Sequence, residues 1–136
     1  MERRLSLSLL SLRWTVFVAM SMWTLDKFVN PVHASGVFEN FYGLPGLGAA
    51  PMLAIAVGEG LLLLAFVAGL ARTWTYGLVL LLHAVSTLSS FGQYLAPFEH
   101  LLFFAAWPML AACLTLFLLR EQDRLWTWPV RRRNGP

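Results

Sequence analysis

Six ionisable side chains stand inside or at the ends of otherwise apolar stretches: Asp26, Lys27, Glu59, His83, Glu99 and His100. Glu59 is the most exposed to cost, because it interrupts the twenty-residue apolar run 51–70, PMLAIAVGEGLLLLAFVAGL, near its middle. A charged group at bilayer depth costs roughly 3 kcal/mol on insertion scales, so it has a partner or a task. Three chemistries are open to this set. The first is a structural network in which Glu59 pairs with Lys27 or His83, while Glu99 and His100 hold the start of the last span. Such groups pair because an isolated charge in hydrocarbon costs far more. The second is a quinone or redox site, with Glu59 and His83 exchanging protons and aromatic rings packing a headgroup. A histidine beside a carboxylate changes charge near neutrality and suits that task. The third is a metal site built from His83, His100, Glu59 and Glu99, ligand types that suit zinc, iron or copper. These four come from three helices and lack HxxxH or ExxH spacing.

The elements that must position these groups are apolar helices. Of the 136 residues, 58% are hydrophobic and only 12% are charged. A soluble domain carries about a quarter charged residues. The expected fold is an all-α membrane protein, an antiparallel four-helix transmembrane bundle filling one integral domain over residues 1–136. Spans are expected at about 9–28, 49–70, 74–91 and 98–119, with a tail at 120–136. About twenty residues at ~1.5 Å rise match the ~30 Å hydrocarbon core. The basic start and first apolar run resemble a secretory signal, with Val32-His33-Ala34 as a candidate cleavage point, but read as a retained span.

Asn30-Pro31 closes the first span. Residues 33–48 read as an interfacial loop with Phe38, Phe41 and Tyr42 at headgroup depth. A minimal turn at Ala71-Arg72-Thr73 makes the second and third spans neighbours. On the third span Tyr76, His83, Thr87 and Ser90 form a polar stripe. Pro108 is expected to kink the fourth by releasing the carbonyl of Phe104. Gly58 and Gly60 read as places of close helix approach. The lone cysteine, Cys113, rules out an intrachain disulfide and reads as packing.

Four spans put nine of the ten Lys and Arg residues on one side: Arg3, Arg4, Arg13, Arg72, Arg120, Arg124, Arg131, Arg132 and Arg133. By the positive-inside bias both termini are cytoplasmic, in an inner membrane. Arg13 reads as snorkelling to the inner headgroups, and the tail as lying on the inner surface with Trp126 and Trp128. This charge pattern fits lipid headgroups rather than nucleic acid. Measured from Arg72, Glu59 lies thirteen residues away and His83 eleven, so the two stand at nearly one level, ~16–20 Å up.

Several of these stretches resemble the DoxX family of small four-span membrane proteins. The resemblance covers roughly residues 13–119. It rests on Arg13 with Leu25-Asp26-Lys27-Phe28-Val29-Asn30-Pro31, on Gly58-Glu59-Gly60-Leu61-Leu62-Leu63 with Gly69-Leu70-Ala71-Arg72, and on Glu99-His100-Leu101-Leu102. The family's glycine-rich ending of the fourth helix is replaced here by Leu119-Arg120-Glu121-Gln122-Asp123, and His83 and His100 match no family motif. Some members resemble the membrane subunit of a thiosulfate:quinone oxidoreductase. The resemblance therefore implies a membrane subunit or accessory of a quinone-linked redox system, with Lys27, Glu59 and Arg72 as family-like positions. Such a subunit depends on a redox partner protein or on its own copies. No nucleotide motif or nucleophile arrangement is present that would make it a free-standing enzyme. The alternative is a membrane binding or transport protein for a small apolar or metal ligand, using Asp26, Lys27, Glu59, His83, Glu99 and His100.

Overall fold

A computed structural model describes residues 1–128, and the expectation placed on Arg131, Arg132 and Arg133 lies outside them. Among the described residues the chain is all helical, without a strand. The order is α1 (Glu2–Val29), α2 (Pro31–Tyr42), α3 (Ala49–Val67), α4 (Arg72–Ser89), the short α5 (Phe91–Tyr94), a 3-10 turn (Leu101–Ala105) and α6 (Ala106–Leu118). Three helical stretches are long and apolar enough to cross a membrane: Glu2–Val29, Ala49–Val67 and Leu101–Leu118. That is the composition of a membrane protein.

The helix α4 is as long but more polar, and its polar residues face inward. Tyr76, Thr87 and Ser90 are buried, and His83 is half-buried. The hydroxyls satisfy themselves on their own helix: Thr87 Oγ1 donates to the His83 carbonyl (2.7 Å) and Ser90 Oγ to that of Ser86 (3.1 Å). The exposed side of α4, with Leu78, Leu81, Leu82, Val85 and Leu88, is apolar.

α1 packs on α3 and on α6, α4 packs on α6, and a short turn brings α3 against α4. Their shared core is Leu9 and Val16 from α1, Leu63 and Phe66 from α3, Tyr76 and Val79 from α4, and Cys113 and Leu116 from α6. On α3, α4 and α6 these positions fall in the half nearest Arg72, and on α1 they flank Arg13. The opposite half buries Met52, Ala56 and Ala34 and adds polar groups and rings. Aromatic pairs there include Phe41–Phe103 (6.0 Å), Tyr94–Phe104 (5.4 Å) and Tyr94–Trp107 (5.4 Å).

Three expectations are corrected. Residues 33–48 are not one loop, because α2 occupies most of them and touches α1, α3 and α4. Pro31 starts this helix, and Gly43, at φ +65°, ends it with its N–H turned back to Phe38. The fourth apolar stretch, expected as a single helical span, is not α-helical throughout. It begins as the 3-10 turn and becomes α-helical at Ala106, so Pro108 falls in the first turn of α6, where its missing N–H costs little. Gly58 and Gly60 admit no close helix, since a Cβ at either would meet nothing within 4 Å.

The close approach occurs at Gly69 instead. It stands at φ +71°, and a Cβ there would lie 2.7 Å from Thr127 Cγ2. The chain after α6 folds back over this glycine, and the Trp128 N–H donates to the Ala68 carbonyl (2.7 Å) at the end of α3.

Candidate functional site

Two polar centres are built, one at each end of the bundle. At the end that holds Arg13 and Arg72, called inner after the orientation expected from the basic residues, Arg13 is fully buried and does not snorkel. Its Nη1 lies 2.7 Å from Asp123 Oδ1, with both side chains at 0% exposure. Tyr76 donates its hydroxyl to Asp123 Oδ2 (2.6 Å), and Arg13 Nη1 reaches the same hydroxyl at 3.4 Å. Arg13 Nη2 donates to the carbonyls of Leu125 and Trp126, while Arg72 donates to those of Arg120 and Asp123. The tail from 119 to 128 is thus clasped into the bundle rather than laid on a surface. Burial of Arg13 follows from its counter-charge: a guanidinium drawn into a dry site needs a carboxylate and further acceptors, and the tail supplies both.

The outer centre lies where α1, α2 and α3 meet. Lys27 Nζ sits 2.9 Å from Glu59 Oε2, and Thr24 Oγ1 donates to the same oxygen at 3.1 Å. Thr24 and Lys27 share a face of α1 because they are three residues apart. The ammonium also reaches the Trp23 carbonyl (3.4 Å) and lies 5.8 Å from the ring centre of Phe38 on α2. The side chain of Lys27 is 10% exposed and that of Glu59 is 23% exposed, so the pair is not fully enclosed. Levels agree from both ends. Lys27 lies fourteen residues beyond Arg13, Glu59 thirteen before Arg72, and both arginines bind the Asp123 region.

Asp26 does not join Glu59. It binds His33, the third residue of α2, with Oδ2 to Nδ1 at 2.6 Å. A shallow cleft beside this pair is lined by Trp23, Asp26, Lys27, Ala34, Val37 and Phe38.

The expected Glu59–His83 pair is not formed. His83 Nε2 meets the Ala106 carbonyl at 3.0 Å instead, because α4 turns its inward face to α6. Arg72, expected among the binding residues, belongs to the inner clasp and not to the outer centre. Glu99 is exposed and makes no ion pair among the described residues, and the His100 ring stands edge-on to that of Phe103 at 5.5 Å. The four candidate metal ligands His83, His100, Glu59 and Glu99 are therefore not gathered, and no three His, Cys, Asp or Glu side chains converge among the described residues.

Sequence reasoning missed Thr24, His33, Tyr76 as a carboxylate donor, and Asp123. The signal for Asp123 was present: an arginine inside an apolar run requires a counter-charge, and few acids lie near that end. Comparison with family models, with curated proteins and with solved structures finds no match to this chain.

Proposed function

We propose that this chain is a DoxX-like membrane subunit of a quinone-linked redox system, crossing the inner membrane four times as an antiparallel bundle with both termini cytoplasmic. The fourth crossing is α4, whose polar face is turned inward and whose outer face is apolar. The orientation is supported by Arg13, Arg72, Arg120 and Arg124, which lie with the folded-back tail at one end, whereas Lys27 lies at the other.

The observation that carries the functional reading is the Lys27–Glu59 pair with Thr24 beside it. It is a charged pair at span depth whose Glu59 side chain remains 23% exposed and whose ammonium is bordered by the Phe38 ring. A quinone dissolves in the lipid phase and reaches such a group sideways. Its carbonyl oxygens accept hydrogen bonds from an ammonium, its ring packs against aromatic side chains, and a carboxylate exchanges the proton that accompanies reduction. The redox partner supplies electrons, and this chain supplies the membrane site. Substituting Glu59→Gln keeps shape and hydrogen bonding but removes the charge. In complex with the partner, quinone-linked turnover is expected to fall at least tenfold, about 1.4 kcal/mol of barrier, with insertion and purification unchanged. Unchanged turnover removes Glu59 from the site.

A further inference from the structure

We propose that the start of α4, with Arg120 beside it, binds the phosphate of an anionic phospholipid at the inner face. The motivation is an unbalanced charge. Arg13 and Arg72 are both buried, at 0% and 8% exposure, and both bind the folded-back tail. The tail brings them one buried carboxylate, Asp123. That carboxylate lies 2.7 Å from Arg13 and accepts the Tyr76 hydroxyl on its other oxygen. Arg72 donates to the carbonyls of Arg120 and Asp123 and forms no ion pair among the described residues. Carbonyl dipoles satisfy its N–H groups without cancelling its charge, and a buried charge without a counter-charge is costly.

The surface beside Arg72 suits an anion. Arg72 opens α4, and no side chain caps that helix start. The first amides of a helix lack intrahelical acceptors and carry the positive end of its dipole. Arg120, half-buried, is held against this start: Nε donates to Thr73 Oγ1 (3.2 Å) and Nη1 to the Phe117 carbonyl (2.7 Å). Its guanidinium lies 4.6 Å from the ring centre of Phe117. An arginine fixed in this way has already lost the freedom that binding would cost, and its planar fork suits phosphate oxygens. Thr73 is exposed, and its hydroxyl accepts from Arg120 while keeping its own proton to donate. Depth makes the anion a lipid. Trp74, on the same helix start, is 75% exposed, and Trp14, Trp126 and Trp128 are exposed at the same end. The last two are seated by the tail contacts, the Trp126 carbonyl on Arg13 and the Trp128 N–H on the Ala68 carbonyl. Exposed indoles gather at headgroup level. The inference is independent of the quinone reading and rests on the proposed topology only for the choice of leaflet.

The test titrates the full chain in detergent with phosphatidylglycerol or with phosphatidylcholine of the same acyl chains, and reads bound lipid by native mass spectrometry and Tm by thermal unfolding. The wild type is expected to bind phosphatidylglycerol at least tenfold more tightly and to be stabilised by it. Arg120→Gln should lower that affinity about fivefold and leave phosphatidylcholine unchanged. Thr73→Asp sets a carboxylate in the first turn of α4, where it supplies the missing counter-charge. It is expected to raise the Tm of lipid-free protein and to abolish the further rise with phosphatidylglycerol, which a merely structural threonine would not do. Arg124→Gln removes a charge at the same end that does not touch α4, and should change the preference little. Equal affinity for the two lipids in the wild type, or an unchanged preference in Arg120→Gln, overturns the site. So does a loss in Arg124→Gln as large as in Arg120→Gln, which would mean diffuse attraction, or a Thr73→Asp protein still stabilised by phosphatidylglycerol. No quinone enters these measurements, so failure of the quinone reading leaves the lipid site standing.

Discussion

At the scale of single residues, the inner clasp is the costlier of the two polar centres to disturb. Arg13 and Asp123 are both at 0% exposure, so removing either leaves the other charged and dry. Arg13→Met or Asp123→Leu is expected to lower unfolding free energy by about 3–5 kcal/mol. The double variant should cost less than either single one, because no orphan charge remains. Denaturant unfolding in detergent measures all three, and additive losses would show that the pair is not coupled. The Lys27–Glu59 pair is less enclosed, with the Glu59 side chain at 23% exposure, and its loss should be smaller. Glu59→Leu, which strands Lys27, is expected to cost about 2–3 kcal/mol, against under about 1 kcal/mol for Glu59→Gln. A partner for Glu59 was legible in the sequence, and Lys27 was one of the two choices, since charge at span depth demands pairing. Which one it took was not legible. Equal depth permitted His83, but depth says nothing of the face a helix turns, and α4 turns His83 to α6.

At the scale of elements, the three apolar stretches long enough to cross a membrane follow from hydropathy alone. Their boundaries fall within three residues of the expected spans except the start of α1, which begins seven residues earlier, at Glu2. What escaped are elements set by local or distant contacts. The helix α2 is short and carries Gly36, so its apolar pattern is weak, although Pro31 and Gly43 bracket it with start and stop signals. The fold-back after α6 has no periodic signature at all. It depends on the carbonyls of Arg120, Asp123, Leu125 and Trp126 meeting two arginines from far earlier in the chain. Gly69 is its hinge point against Thr127, at a φ of +71° that disfavours any side chain. Gly69→Ala is therefore expected to destabilise by about 1–3 kcal/mol through strain and the clash with Thr127. The same substitution should make the tail accessible to protease in folded protein. A tail as protected as in the wild type would mean that Gly69 does not seat it.

At the scale of the whole molecule, packing inside a membrane cannot rely on the hydrophobic effect between helices, because lipid is as apolar as leucine. Close packing and polar contacts must hold the bundle, and here they divide by end. The half nearest Arg13 combines the packed core with the Arg13–Asp123–Tyr76 clasp, while the other combines aromatic pairs with Lys27–Glu59 and Asp26–His33. The proposed topology predicts that, in a Cys113→Ala background, cysteine at the exposed position of Asn40 on α2 labels from outside intact cells. Cysteine at exposed Gln122 in the tail should label only after the membrane is opened. The reverse pattern would invert the bundle. The central claim, that the Lys27–Glu59 pair receives a quinone, is tested most directly by native mass spectrometry of the gently purified protein with quantified quinone. The wild type is expected to retain quinone at near one per chain, and Lys27→Met and Glu59→Gln at least tenfold less. Quinone absent from the wild type, or retained equally in both variants, would contradict the account.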